Sequence, residues 1–219
     1  DAVIRFNSTD KYNNNVNTTY RFNVYQNETK IIIGVDVIHV GEDAVINVTF
    51  DDNATGNVTI YVGDKEYNRT IADHMVNVTV PGLAYGNYTV VVNYHGDVNY
   101  TKSSNNTKQI VIKNDINITI NETTTIQINE STTVYVNMSA KINGTVTLRV
   151  NNVNYTVNIV NGKGSLPLSG LANNTYTIQA FFDGNEKYVA NESNIITVKV
   201  NKVPTKVNVT FDEVIFVGD

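Results

Sequence analysis

The residues of this chain with the clearest chemical potential are asparagines followed two positions later by serine or threonine. The 219 residues include 35 Asn and 34 Ser plus Thr, so random order would give about five such pairs. There are 20 of these Asn-x-Ser/Thr sequons. They begin at Asn7, Asn17, Asn27, Asn47, Asn53, Asn57, Asn68, Asn77, Asn87, Asn99, Asn105, Asn117, Asn121, Asn129, Asn137, Asn143, Asn154, Asn173, Asn191 and Asn208. The side-chain amide of a sequon is the acceptor for N-linked sugar on a protein surface.

Strand alternation supplies part of this excess, because polar residues on the solvent face of a strand fall two apart. Alternation does not explain why the residue two positions after the asparagine is so often threonine rather than aspartate, lysine or asparagine. At four sequons the intervening apolar residue is predicted to point inward, so the amide faces solvent. These four begin at Asn47, Asn77, Asn87 and Asn137. The sequence therefore predicts heavy N-glycosylation, with plain alternation as the alternative.

Other reactive groups form no catalytic or metal-binding pattern. The absence of cysteine excludes disulfides, thiolate metal sites and cysteine nucleophiles. The histidines His39, His74 and His95 lie far apart, and we interpret them as surface residues. The acidic pairs at 42–43 and 51–52 lack the spacing of a calcium loop. We predict no catalytic residue, no metal, no cofactor and no enzymatic activity.

The charge and hydropathy of the chain narrow the range of partners. With 16 basic and 21 acidic side chains the formal charge is −5. A negative charge disfavours binding to the phosphate backbone of a nucleic acid, so we expect no nucleic acid partner. No run of 18 apolar residues exists, and we expect no direct membrane insertion in this segment.

The composition predicts that β-strands position the sequons. Val, Ile and Thr make up 80 of the 219 residues, and β-branched side chains favour pleated strands over helices. Hydrophobic residues reach 41% and alternate with polar ones, which argues against disorder. The fold class predicted is all-β.

An internal repeat organises these strands. A shift of 88 residues aligns 40–112 on 128–200 without a gap, with 16 identities in 73 pairs. The same shift relates residues 1–27 to the end of a repeat, and 204–219 resemble the start of one. We therefore predict full repeats at 28–114 and 115–203, with partial repeats of a preceding and a following domain at the two ends.

Period-two alternation places seven strands in the first full repeat. They are predicted at 31–37, 44–50, 56–62, 65–71, 75–80, 87–94 and 107–112. Seven short strands in about 88 residues indicate immunoglobulin-like β-sandwiches. Tyr88 and Tyr176 occupy the position of a tyrosine corner, in which the hydroxyl bonds back to the backbone, and we assign both a structural role. Short junctions without Gly/Ser runs predict an elongated rod.

Three motifs carry a resemblance to a known family. Gly56-x-Val58-Thr59-x-x-Val62, Gly82-Leu83-x-x-Gly86-x-Tyr88 and Tyr94-x-Gly96-Asp97-x-x-Tyr100 are similar to the group 3 type of bacterial Ig-like repeats. The Asn, Ile, Tyr and Thr bias most resembles the adhesin-like surface proteins of methanogenic archaea. In the second repeat Asn174 and Asn185 replace Gly86 and Asp97. The resemblance implies a stalk or adhesive array on a cell surface.

The functional expectation is a non-catalytic, extracellular, N-glycosylated stalk or spacer at the cell surface. Its expected partners are neighbouring Ig-like repeats of the same or identical chains and surface glycans or proteins. Two alternatives stay open at this point. One is a filament or surface-layer subunit completed by strand exchange between chains. The other is a binding module whose loops, marked by Tyr12, Tyr100 and Tyr188, recognise a carbohydrate or a protein.

Overall fold

In a computed structural model of the chain, every regular element within the described residues is a β-strand. The structure describes residues 2–5, 17–20, 22–50, 53–121 and 124–210, of which 2–5 and 17–20 are described by their backbone alone. The chain divides into two compact units, Asp1–Ile112 and Lys113–Asp219.

The described strands of the first unit form three sheets. In chain order they are β1 (Ala2–Arg5), β2 (Asn17–Tyr20), β3 (Ile31–Gly34), β4 (Ile38–His39), β5 (Ala44–Phe50), β6 (Asn57–Val62), β7 (Lys65–Thr70), β8 (Met75–Val80), β9 (Gly86–Tyr94) and β10 (Ser103–Ile112). β1 and β2 pair antiparallel with each other. One larger sheet has the order β3-β5-β8, and the other has the order β4-β10-β9-β6-β7, in which β4 runs parallel to β10.

The second unit repeats this plan. Its strands are β11 (Ile118–Ile120), β12 (Thr124–Gln127), β13 (Thr132–Met138), β14 (Gly144–Val150), β15 (Val153–Ile159), β16 (Lys163–Leu168), β17 (Thr175–Phe182), β18 (Asn191–Glu192) and β19 (Ile196–Asn201). They form a β11-β13-β16 sheet and a β12-β19-β17-β14-β15 sheet, with β18 paired to β17.

Each unit has its own hydrophobic core, built by alternate residues of its two larger sheets. In the first unit Ile46 and Val48 of one sheet share a cluster with Ile60 and Val92 of the other. Burying one such side chain contributes roughly 1.5–3 kcal/mol. A three-stranded sheet sharing a core with a five-stranded one, whose short edge strand runs parallel to the last strand, is an immunoglobulin-like β-sandwich. The predicted fold class is confirmed.

The strand bounds predicted from alternation hold in the middle of the sandwich. The strands predicted at 44–50 and 75–80 are β5 and β8, and those predicted at 56–62, 65–71 and 87–94 differ from the structure by one residue at one end.

The first predicted strand, 31–37, is divided in the structure. β3 ends at Gly34, and β4 begins at Ile38 in the opposite sheet. Gln109, which is fully buried, donates from Nε2 to the carbonyl of Asp36 at 2.6 Å and so satisfies the backbone where the chain changes sheets. This contact joins residues 73 positions apart, so local alternation carries no sign of it.

The ungapped repeat is wrong at the last strand. Tyr88 is opposite Gln109 in the first unit, whereas Tyr176 is opposite Val198 in the second, an offset of 89 instead of 88. The extra residue lies between β18 and β19. There Ser193 forms a bulge by accepting a hydrogen bond from Ala180 N to its Oγ at 2.9 Å and donating its own N–H to Ala180 O at 2.9 Å.

Candidate functional surface: sequons and loop clamps

The sequon asparagines are distributed over the surface of both units. Asn7 lies outside the described residues, and Asn17 is described only as part of β2. Of the other 18, Asn121 is half-buried and 17 are exposed.

Two of the strand-borne sequons stand side by side. Asn47 on β5 is directly opposite Asn77 on β8, and both side chains point away from the core. The residues between each asparagine and its threonine, Val48 and Val78, are buried at 0% and 1% exposure. Alternation in these strands therefore places the apolar residue in the core and the sequon amide in solvent.

A second group of sequon asparagines uses its amide nitrogen inside the fold. Four Nδ2 atoms donate to a backbone carbonyl of a distant segment. The pairs are Asn105 to Ile31 O at 2.7 Å, Asn121 to Thr133 O at 3.3 Å, Asn173 to Val200 O at 2.7 Å and Asn191 to Ile116 O at 2.6 Å. The first of these joins β10 of one sheet to β3 of the other. The sequence pattern does not distinguish these asparagines from the rest.

The hydroxyl residues of three sequons are buried. Thr29, Thr59 and Ser193, with exposures of 7%, 6% and 5%, are the third residues of the sequons at Asn27, Asn57 and Asn191. Thr59 Oγ1 donates to Asn68 Oδ1 at 2.7 Å.

A charged loop closes one end of the first sandwich. Asp97 Oδ2 accepts bonds from Thr55 N and Thr55 Oγ1, both at 2.8 Å, and its Oδ1 accepts from Asn99 N and Tyr100 N at 2.7 and 2.8 Å. These bonds, the Thr55 N–H first among them, hold the pKa of the Asp97 carboxyl well below its ordinary value. Burial, reinforced by that carboxylate, raises the pKa of Tyr94 to about 12.

The corresponding loop of the second unit keeps half of this arrangement. Asn185 Oδ1 accepts from Lys187 N at 2.9 Å and Tyr188 N at 2.8 Å. The repeat places Phe182 where the first unit has Tyr94, so the hydroxyl and the carboxylate are replaced together.

Each loop also clamps the segment that enters its own sandwich. Asn27 donates its N–H to Asn99 O at 2.8 Å and accepts from Thr101 N at 2.9 Å. Asn114 makes the same pair in the second unit, with Lys187 O at 2.9 Å and Val189 N at 3.0 Å. Sequence reasoning gave Asn27 only as a sequon and did not single out Asn114. Their signal was a recurrence at 87 residues, opposite tyrosines that recur at 88.

The tyrosine-corner residues bond back to the backbone four residues earlier. Tyr88 donates its hydroxyl to Ala84 O at 3.0 Å, and Tyr176 donates to Ala172 O at 3.3 Å. Tyr176 Oη also accepts from Ala172 N at 3.1 Å. Of the tyrosines considered as binding-loop markers, Tyr100 and Tyr188 are half-buried and packed against their own cores, and Tyr12 lies outside the described residues.

The histidines and acidic residues stay dispersed. His95 Nε2 lies 2.8 Å from Thr59 Oγ1, and His39 Nδ1 lies 3.6 Å from Glu42 Oε2. Within the described part of the chain, no three His, Cys, Asp or Glu side chains come together as a metal site would need. Residues 51–52 lie outside that part.

A shallow polar groove lined by Asn57, Arg69 and His95 among others includes two sequon asparagines. No helix long and apolar enough to cross a bilayer occurs among the described residues.

Comparisons with known proteins give fold-level likeness alone. No family model and no curated protein matches the chain. Fibronectin(III)-like modules of Clostridium thermocellum CbhA align over 84% of this chain and 100% of their own, at 13% identity and a TM-score of 0.36. A titin Ig tandem aligns over 80% of this chain and 97% of its own, at 13% identity and a TM-score of 0.33. A titin I-band fragment aligns over 81% of this chain and 67% of its own, at 14% identity and a TM-score of 0.34. The class of the protein, tandem Ig-like β-sandwiches, is defined by its own sheets.

Proposed function

We propose that this chain is a non-catalytic spacer or stalk of a cell surface, in which tandem Ig-like sandwiches carry N-linked sugar. The sequence motifs support the group 3 type of Ig-like repeat as part of this proposal. The bias toward Asn, Ile, Tyr and Thr supports an archaeal adhesin-like protein. Neighbouring repeats of the same or identical chains are the proposed partners.

The observation that carries the proposal is the placement of the sequons. Exposure of 17 of the 18 described asparagines places these residues at the protein surface, where a transferase acts. Asparagines outside sequons are mostly exposed as well, so exposure alone does not single out the sequons. Their excess over random order, 20 against about five, and the frequency of threonine two positions after the asparagine support glycosylation.

Sugar would also protect the free edges of the sheets. β3, β8 and β7 are edge strands, because no further strand among the described residues pairs with their outer hydrogen-bonding groups. Asn77 lies on β8 and Asn68 on β7, so sugar there would obstruct pairing with a second chain. Asn- and Val-rich strands left bare are prone to pair with one another.

The spacer role draws support from the short junction. β10 ends at Ile112, and Asn114 already bonds to the loop of its own unit, which leaves Lys113 between them. We expect such a junction to restrain the two units, and we propose an elongated rod. Small-angle scattering tests this, since a rod has a larger radius of gyration than the average of two freely jointed units of the same size.

Intact-mass and glycopeptide mass spectrometry on protein from its own cells tests the coat. We expect the peptides that cover these 219 residues to carry sugar on sequon asparagines, which adds several kilodaltons to the 24.3 kDa of the bare sequence. Peptides found only at their unmodified masses would refute the coat and leave strand alternation as the cause of the pattern.

Exposed apolar side chains near both ends favour one alternative, a filament subunit. Val24 is 85% exposed and Tyr25 80%, and Val207 and Val209 are each 77% exposed. Strand exchange between chains would cover them. Light scattering decides, because a filament subunit assembles with rising concentration whereas a spacer stays monomeric.

A further inference from the structure

The sequons differ in the availability of the two groups that define them. These are the asparagine amide nitrogen, to which the sugar is attached, and the hydroxyl two residues later. The structure separates sequons in which the asparagine nitrogen donates to a backbone carbonyl or the hydroxyl residue is buried from sequons with neither feature.

Asn191 is the sequon most fully used by the fold. Its Nδ2 donates to Ile116 O at 2.6 Å, and its Oδ1 accepts from Glu192 N at 2.8 Å. A carbonyl accepts and a backbone N–H donates, so the amide is oriented from both ends. Its third residue, Ser193, is buried and holds the β18–β19 bulge.

Asn105 and Asn121 are oriented in the same two-ended way. The Oδ1 of Asn105 accepts from Asn106 N at 2.8 Å while its nitrogen bonds to Ile31 O. The Oδ1 of Asn121 accepts from Tyr135 N at 2.9 Å, which extends the pairing of β11 with β13.

Sugar transfer conflicts with these contacts. In the transfer, the amide nitrogen forms a bond to C1 of a sugar carried on a phosphate, the C1–O bond breaks, and the phosphate leaves with the bonding electrons. One amide proton is lost in the process. The amide keeps one N–H after the transfer, but the nitrogen must turn out of its contact for the transferase and the sugar to reach it. The backbone carbonyl that it leaves then loses a hydrogen-bond donor, which is costly.

We propose that the sequons fall into two classes in the folded protein, an inference that rests on the proposed glycan coat. The closed sequons stay bare and serve as structural contacts. They are Asn105, Asn121, Asn173 and Asn191, through their nitrogens, and Asn27 and Asn57, through the buried Thr29 and Thr59. The open sequons that carry sugar are represented by Asn47, Asn77 and Asn87, whose amides point outward from β5, β8 and β9.

Site-resolved glycopeptide mass spectrometry on protein from its own cells tests the division. We expect sugar at Asn47, Asn77 and Asn87 and little or none at Asn105 and Asn191. Equal occupancy in both classes would overturn the division while leaving the coat intact. Sugar at no site would overturn the proposed coat itself, and the division with it.

The structural role of a closed sequon is tested separately in unmodified recombinant protein. Asn191→Asp keeps the acceptor for Glu192 N but places an oxygen against Ile116 O, so the unfolding midpoint of the second unit should fall by about 4–8 °C. The matched control is Asn137→Asp, which also destroys a sequon, on the exposed face of β13. If Asn137→Asp lowered the midpoint as much as Asn191→Asp, the hydrogen bond from Asn191 to Ile116 O would not stabilise the second unit.

Discussion

The separate cores of the two units predict that each unfolds on its own, and truncation of Leu148 tests this most sharply. Leu148 is fully buried on β14, between its register partners Tyr155 on β15 and Ala180 on β17. The cluster around it contains residues of the second unit alone.

The expected magnitude follows from the burial. Leu148→Ala removes three carbons from a site without solvent access, which loses their transfer free energy and leaves a cavity, for a total of about 3 kcal/mol. In a domain of this size each kcal/mol lowers the midpoint by roughly 4–8 °C, so about 12–24 °C is expected.

Differential scanning calorimetry of the full chain is the assay. One transition should move by that amount and the other should stay in place. The reciprocal variant Ile60→Ala, at a fully buried position of the first core, should move the other transition. Val153→Ala, at a side chain 54% exposed on β15, is the control for a truncation without a cavity. Equal shifts of both transitions in either core variant would refute independent unfolding, and a shift under roughly 1 kcal/mol would refute the packing argument.

The remaining predictions concern the loops and corners. Gly96 has φ +81°, and a Cβ added there would lie 2.9 Å from Tyr100 O. Gly82 also has a positive φ, +69°, but open space around the added Cβ. Gly96→Ala should therefore lower the melting temperature of the first unit more than Gly82→Ala does, and equal losses would contradict the steric reason. Because the folded-state pKa of Asp97 lies below its unfolded value, its contribution is present above the unfolded pKa and declines as pH falls toward the folded pKa. Asp97→Asn should therefore weaken the acid dependence of first-unit stability in melts between about pH 2 and 5, and an unchanged pH profile would count against the charge-assisted loop. Tyr88→Phe and Tyr176→Phe each remove a hydroxyl bond to the backbone and should cost about 1 kcal/mol in denaturant unfolding; no loss in either unit would show that the corners are not structural.

The strands of the middle of each sandwich are determined by the sequence itself. Alternation in 44–50 places Ile46 and Val48 inward. The structure buries both, because one face of the strand packs on the core and the other faces water. The composition excluded helices, and the internal repeat pointed to two like units, because β-branched residues and turn spacing act locally.

What needed the tertiary structure depends on contacts between residues far apart in the chain. The change of sheets after Gly34 rests on Gln109, and the one-residue offset of the last strand rests on the bulge at Ser193. Neither feature leaves a local sequence pattern. Period-two alternation reports only which face of a single strand is apolar, and a bulge adds one residue without changing the composition.

The same distinction governs the sequons. The sequence alone determined their number and spacing, since Asn-x-Ser/Thr is a local pattern. Only the fold decided that Asn191 meets Ile116 while Asn47 faces solvent, because the two asparagines carry the same amide and differ in the segment that lies opposite it. A hydrogen bond to a carbonyl 75 residues away is a property of the packed sandwich and of no segment within it.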